Sequence, residues 1–262
     1  MITRQQLNNY YQALLHPEIY QDDCPNGLQI EGTEQIERIA FAVSADHDSI
    51  IQAIEQKADA LIVHHGLFWT LQGARPLTGT FAKQVFPLVK NNINLICYHL
   101  PLDGHPDIGY AAMLSQLIDC KQRQPFSDYT GSMIGIKGIF KQPLPATALQ
   151  QKMESILKQD VTLASPNNKA LIRSIGIIAS GANSEWRQAE KEQLDAYITA
   201  EITEHDWHES EETGICILAG GHKTTEKLGI EALMEKTREQ FAVDCFFIDN
   251  QTSIHAKIKA NA

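Results

Sequence analysis

The sequence predicts an α/β protein made of two α/β repeats of similar element order, each with a mixed, mostly parallel sheet. Three observations carry this. Short apolar runs alternate with stretches of helical apolar spacing. The alternation reads β-α-β-α-β-α, which implies a largely parallel sheet with helices packed on it. The same scheme then occurs a second time.

In the first half, Arg4–Leu15 reads as a helix and Leu28–Glu31 as an extra strand-like piece. Arg38–Ser44 (RIAFAVS), Ala60–His65 (ALIVHH) and Asn94–His99 (NLICYH) read as strands. Asp48–Lys57, Phe81–Asn91 and Ile108–Ile118 have helical spacing. In the second half, strand-like Ser132–Phe140 precedes an amphipathic Ala146–Lys158. Strands follow at Ser174–Ser180, Ala196–Ala200 and Ile215–Ala219, and helices at Ser184–Gln193, Glu204–Glu212 and Thr224–Phe241. A last strand, Asp244–Asp249 (DCFFID), could pair with either sheet. The repeats are placed at residues 1–125, carrying His64, His65 and Asp103, and 126–262, carrying His222 and Glu226. They meet near Gln122–Thr130.

The 262 residues suffice for a sizeable core, and the composition is ordinary, with 43% hydrophobic and 21% charged residues. A net charge of −10 disfavours broad capture of a nucleic-acid backbone. No segment approaches the ~18–20 apolar residues of a membrane span, and no polybasic membrane patch is present. The polar start, MITRQQ, reads as a helix rather than a signal or transit peptide. Five widely spaced cysteines without Cys-x-x-Cys suggest reduced thiols in the cytoplasm, and Cys97, Cys216 and Cys245 read as core residues.

Function in a parallel α/β sheet gathers at the carboxyl ends of the strands. The stretch ADALIVHHGLFW ends a buried strand in His64-His65. Adjacent strand residues point to opposite faces, so the pair reads either as surface imidazoles or as two rings converging where the chain turns. Phe68 and Trp69 read as packing more than as a pocket wall. The next strand exits as CYHLPLDGHPDIG, with His99, Asp103 and His105. The last strand of the second half exits as LAGGHKTTE. A helix starting near His222 puts His222 and Glu226 on one face. An ordinary helix capped by Thr224 or Thr225 after a glycine turn explains the Gly and Thr but not the His and Glu. Three imidazoles (His64, His65, His222) and two carboxylates (Asp103, Glu226) suit zinc, iron, manganese or cobalt. Five donors exceed one tetrahedral site and fit two divalent cations.

The runs VHHGLFW, YHLPLD and GGHKTTE resemble the motifs of the dinuclear-metal proteins known as GTP cyclohydrolase 1 type 2, the Nif-three-like family. DDCPNGLQIEG, ASGAN and ITAEITEH agree in place. The resemblance implies a paired metal site between two intertwined repeats and, in many members, a ring-shaped homohexamer. It implies that His64 and Asp103 hold one ion, that His65 and His222 hold the other, and that Glu226 bridges. Cys24-Pro25 stands where the family's DNSGLQ stretch has serine, and Ile198-Thr199-Ala200 replaces a more frequent Gly-bearing form. His99 is the candidate to orient a ligand or act on bound water. His105 is an even choice between site and strand mouth. His205 and His208 read as a solvated helix start more than as substrate contacts, and His16, His47 and His255 as surface.

The resemblance favours a metal-dependent hydrolase acting on a nucleotide-like small molecule. GTP itself is disfavoured, because no G-x-x-x-x-G-K-[ST] loop or basic cluster is present. The alternative is a non-catalytic, ring-forming metal-binding regulatory or scaffold protein. A nuclease is disfavoured by the charge. Metal affinity is expected to fall as pH drops through ~6.5, the unperturbed histidine range.

Overall fold

The computed structural model describes residues 1–165, 170–178 and 183–250. In chain order the elements are β1 (Ile2–Thr3), α1 (Arg4–Leu15), β2 (Gly27–Ile30), β3 (Gln35–Ile36), β4 (Arg38–Ser44), α2 (His47–Glu55), β5 (Ala60–His65), α3 (Gly79–Lys90), β6 (Asn94–Cys97), α4 (Leu100–Asp103) and α5 (Tyr110–Leu117). Then come β7 (Lys121–Tyr129), β8 (Ser132–Pro145), α6 (Ala146–Leu157), β9 (Thr162–Ala164), β10 (Leu171–Ile177), α7 (Trp186–Lys191), β11 (Ala196–Thr199), α8 (Glu204–Thr213), β12 (Cys216–Ala219), α9 (His222–Gln240) and β13 (Asp244–Phe247).

By compactness the chain divides into two α/β units. Among the described residues, the first takes Met1–Pro101 and those from Ile230 to Asn250; the second takes those within Leu102–Gly229. Relative to a split by repeats at 125/126, α5 thus belongs to the second unit and β13 to the first.

The first unit holds a five-stranded sheet in the order β13-β4-β5-β6-β2. β13, β4, β5 and β6 run parallel, and β2 closes the edge antiparallel to β6. Leu61, Ile62 and Val63 of β5 are fully buried, as expected of a strand covered on both faces. Leu61 and Val63 share one core with Ala40 and Ala42 of β4, Ile50 and Ala53 of α2, and Phe81, Val85 and Leu88 of α3. Asp46 caps α2 by accepting from the Ser49 N–H at 2.7 Å. α1 starts at a capping box between Thr3 and Gln6. Its Tyr11 hydroxyl reaches the Thr237 hydroxyl at 2.7 Å, so the end of α9 packs within this unit.

The second unit holds a six-stranded sheet in the order β7-β8-β10-β11-β12-β9. Its central pairings, β10 with β11 and β11 with β12, are parallel, and the flanking ones are antiparallel. Leu149, Met153 and Leu157 of α6 share its core with Ile175, Ile177, Ile198 and Leu218. The stretch expected to be a junction, Gln122–Thr130, is instead most of β7, an edge strand that forms a hairpin with β8. Lys121–Pro125 are exposed, so no apolar pattern marks the strand. Part of the expected Ser174–Ser180 strand, most of ASGAN, and His255 lie outside the described residues. Among the described residues, no helix is long and apolar enough to cross a membrane.

Candidate metal centre

In the first unit, β5 delivers His64 and His65 at its carboxyl end. His64 is fully buried and His65 partly so. The rings converge, with centroids 4.4 Å apart. Each ring has a partner at Nδ1. That of His64 lies 3.1 Å from the Tyr98 carbonyl, and that of His65 lies 2.9 Å from the Ser44 hydroxyl across the β4–β5 ladder. His99 follows β6 and brings a third ring, with its centroid 4.8 Å from that of His64. Its Nδ1 sits 2.8 Å from the Asp22 carboxylate. One nitrogen from each of His64, His65 and His99 can be chosen so that all lie within 4.8 Å of one another. Imidazoles whose second nitrogen is engaged by a carbonyl, hydroxyl or carboxylate are typical of metal ligands, because that contact fixes tautomer and orientation.

Asp22 is the residue that sequence reasoning missed. It comes from a loop 77 positions away from His99, and its side chain is 3% exposed. It also accepts from the backbone N–H groups of Cys24 and Leu100 and from the Asn26 amide. Burial pushes its carboxyl up, but His99, the Cys24 N–H and Asn26 outweigh that and hold it below the ordinary value. Asp22→Asn is expected to cost about 2 kcal/mol at neutral pH by urea unfolding, as loss of hydrogen bonds to a charged acceptor would. The depressed carboxyl stabilises the fold above its unfolded pKa, ~3.9, and loses that contribution as pH falls through its lower folded value. The difference between wild type and Asp22→Asn should therefore shrink in acid; a constant difference down to pH 2 would remove this assignment.

Trp69 stands edge-on to His99 with centroids 5.0 Å apart and donates its indole N–H to the Gly66 carbonyl. Phe68 packs on Phe81. The two aromatics thus divide the roles that the sequence left between them.

In the second unit, β12 ends at Ala219 and α9 begins at His222. Gly221 makes the turn at a φ of +84°. A Cβ there would meet the Gln159 amide, and the conformation itself costs a non-glycine residue about 1–2 kcal/mol. Gly221→Ala should lower stability by at least that much in urea unfolding; an unchanged midpoint would mean that the turn relaxes at no cost. Thr224 and Thr225 lie inside the first turn of α9 rather than ahead of it. Thr225 donates to the Gly221 carbonyl at 2.8 Å, and Thr224 to Gln159.

His222 and Glu226 lie one turn apart, with Nε2 2.7 Å from the carboxylate. The Glu226 side chain is fully buried. Glu201, a second residue whose role was not read, lies 3.1 Å from His222 Nδ1. The hydrogen bond to Glu226 lifts the His222 imidazole; burial opposes this, Glu201 adds to it, and the pKa is pushed up to about 9. This replaces the sequence expectation of ~6.5.

Asp103 ends α4 and is 5% exposed. His105 accepts at Nδ1 from the N–H groups of Asp107 and Ile108. His205 and His208 lie on the exposed side of α8, each about 4 Å from a glutamate, at 3.9 and 4.0 Å. His16 and His47 are exposed. The donor set fits divalent cations. Buried carboxylates such as Asp103 and Glu226 need charge compensation, and with the imidazoles they are oxygen and nitrogen donors suited to zinc, iron, manganese or cobalt.

The family model of Duf34/NIF3 (NGG1p interacting factor 3) matches residues 2–254. This chain belongs to the DUF34/NIF3 family. A relative from Pyrococcus abyssi named GTP cyclohydrolase 1 type 2 homolog is 36% identical over 251 residues, 96% of this chain and 99% of that protein. One from Pasteurella multocida with the same name is 37% identical over 90% of this chain and 93% of that protein. Among solved structures, protein ybgI, described as of unknown function, superposes with a TM-score of 0.88 at 31% identity, covering 95% of this chain and 98% of that one. A Thermus thermophilus protein at 24% identity shares the fold, with a TM-score of 0.82 over 97% of this chain and all of that one. The DUF34/NIF3 assignment thus spans both units and every residue of the candidate centre.

Proposed function

We propose that this DUF34/NIF3 protein holds two divalent cations on His64, His65, Asp103, His222 and Glu226 and hydrolyses a nucleotide-like small molecule. The observation that carries the reading is three imidazoles each held at Nδ1, by the Tyr98 carbonyl behind His64, Ser44 behind His65 and Glu201 behind His222, together with the buried carboxylates of Asp103 and Glu226. The name of the relatives, GTP cyclohydrolase 1 type 2 homolog, supports nucleotides as the substrate class to test first.

Paired divalent ions supply Lewis acidity toward water and toward the bond attacked. The chain's residues do the rest. Glu226 and Asp103 contribute negative charge that offsets the cations. Ser44 and the Tyr98 carbonyl fix the rings of His65 and His64. Asp22 holds Nδ1 of His99, which directs its other nitrogen to accept or return a proton beside His64. Trp69 covers one edge of His99 against water. The same reading includes a homohexamer in the cytoplasm, with small molecules rather than nucleic acid as partners.

The family description, an interacting factor, favours a second reading: a metal-binding protein that meets protein partners without turnover. Elemental analysis of gently purified protein, followed by a nucleotide panel with each metal restored, separates the two. Turnover that disappears in His222→Ala supports the hydrolase; metal content without turnover of any nucleotide supports the partner-binding protein. Light scattering tests the hexamer, and a monomer at micromolar concentration removes it.

A further inference from the structure

We propose that Cys24 and Cys97 are a redox pair, two thiols that close into an intramolecular disulfide on meeting a hydroperoxide. Their sulfur atoms lie 3.2 Å apart. A disulfide spans ~2.0 Å, so closure asks for a movement of about 1 Å.

The local fold explains the encounter. Gly27 sits directly opposite Cys97 in the β2–β6 ladder. Its φ of +102° turns the preceding loop back over the strand, so Cys24 comes to rest on Cys97. Cys97 is fixed at the end of β6, whereas Cys24 lies on a connection outside the sheet, which leaves it the partner able to move. Both side chains are nearly or fully buried, at 2% and 0% exposure, which favours a small oxidant over a bulky disulfide. The other cysteines have different neighbours. The Cys216 sulfur lies 3.2 Å from the Ser165 hydroxyl, and that of Cys120 lies 3.7 Å from the Lys121 carbonyl.

The chemistry balances with hydrogen peroxide as the two-electron oxidant. The Cys24 sulfur takes one oxygen from the peroxide and becomes a sulfenic acid, as the O–O bond breaks and one water leaves. The Cys97 sulfur attacks that sulfur; the S–S bond forms, the S–O bond breaks, and a second water leaves. Two thiols and one peroxide give one disulfide and two waters.

Closure would also reach the histidines. The Cys97 thiol donates to the His64 carbonyl at 3.0 Å and would lose its hydrogen. The loop tied down by the bond is the one that holds Asp22 and Asn26 on His99. An effect on metal affinity rests on the metal-centre reading above; the disulfide does not.

The test uses the metal-free full chain, so that its outcome is separate from that of the metal reading. The folded protein is treated with stoichiometric hydrogen peroxide, its remaining thiols are blocked, and it is mapped by mass spectrometry without reduction. A peptide linking Cys24 to Cys97, two hydrogens lighter than its parts and released by dithiothreitol, is expected. Cys24→Ser should give no linked peptide and leave Cys97 reduced. Wild-type protein whose Cys24 and Cys97 stay reduced, overoxidise singly or pair with other cysteines overturns the proposal, whether or not the variant folds.

Discussion

Replacing Glu226 by glutamine is expected to abolish binding of the two divalent cations proposed above. The substitution keeps the shape of a fully buried side chain and removes its charge. Removing a carboxylate that orients a ligand from behind typically costs 10–100-fold in affinity, and a shared ligand should cost at least about 100-fold for both ions. Competition with a chromophoric chelator reads this directly, and one weakly held ion per chain is the most the variant should retain. Two ions at wild-type affinity would remove Glu226 from the centre. Metal-free protein gives an independent reading. Glu226 is the largest cause of the raised His222 pKa, so His222, titrating at about 9 in wild type, should move toward ~6.5 in the variant when followed by its ring-proton resonances.

Metal binding should release a proton at neutral pH, and affinity should keep rising well past pH 7. His222 is lifted to about 9, so at pH 7.5 it is protonated in the metal-free protein and must lose that proton to become a ligand. For one such proton the apparent affinity rises about tenfold per pH unit until the pH passes the raised value. Calorimetry in buffers of different ionisation enthalpy counts the protons, and a flat affinity between pH 7 and 9 would exclude His222 as a ligand. The same shift acts on stability with the opposite sense. A group whose folded pKa is raised contributes fully below its unfolded pKa, ~6.5, and loses that contribution as pH rises through about 9. Metal-free protein should therefore lose stability over that interval, while its affinity for metal grows.

The parts of this molecule legible in its sequence are those governed by neighbours along the chain. β4, β5 and β6 show themselves as apolar runs because both faces are covered. His64, His65, His222 and Glu226 stand out because metal-type side chains rarely follow buried strands without reason. β7 escaped notice because an exposed edge strand needs no apolar pattern. DCFFID was legible as a strand, but its pairing with β4 was not, because nothing local distinguishes one sheet edge from another. Asp22 and Glu201 were read only as pieces of matching motifs. Their roles arise where the chain returns, and Glu201 meets His222 from 21 positions away. The His222 pKa depends on that return as well as on its helical neighbour.

The β13–β4 pairing has a consequence for how the protein is made. β13 lies parallel to β4 from Asp244↔Arg38 to Phe247↔Phe41, and Arg38 and Asp244 form an ion pair at 2.8 Å. A ribosome delivers β13 about 200 residues after β4. Until β13 is made, the flank of β4 that it covers has no neighbour, and Tyr11 waits more than 200 residues for its Thr237 partner. Leu102–Gly229, by contrast, is a contiguous stretch and is complete before then. The middle of the chain can thus finish first while its beginning waits with an open sheet edge, a surface prone to wrong pairing. On a nascent chain this reverses the usual order of folding and leaves the flank of β4 in need of protection.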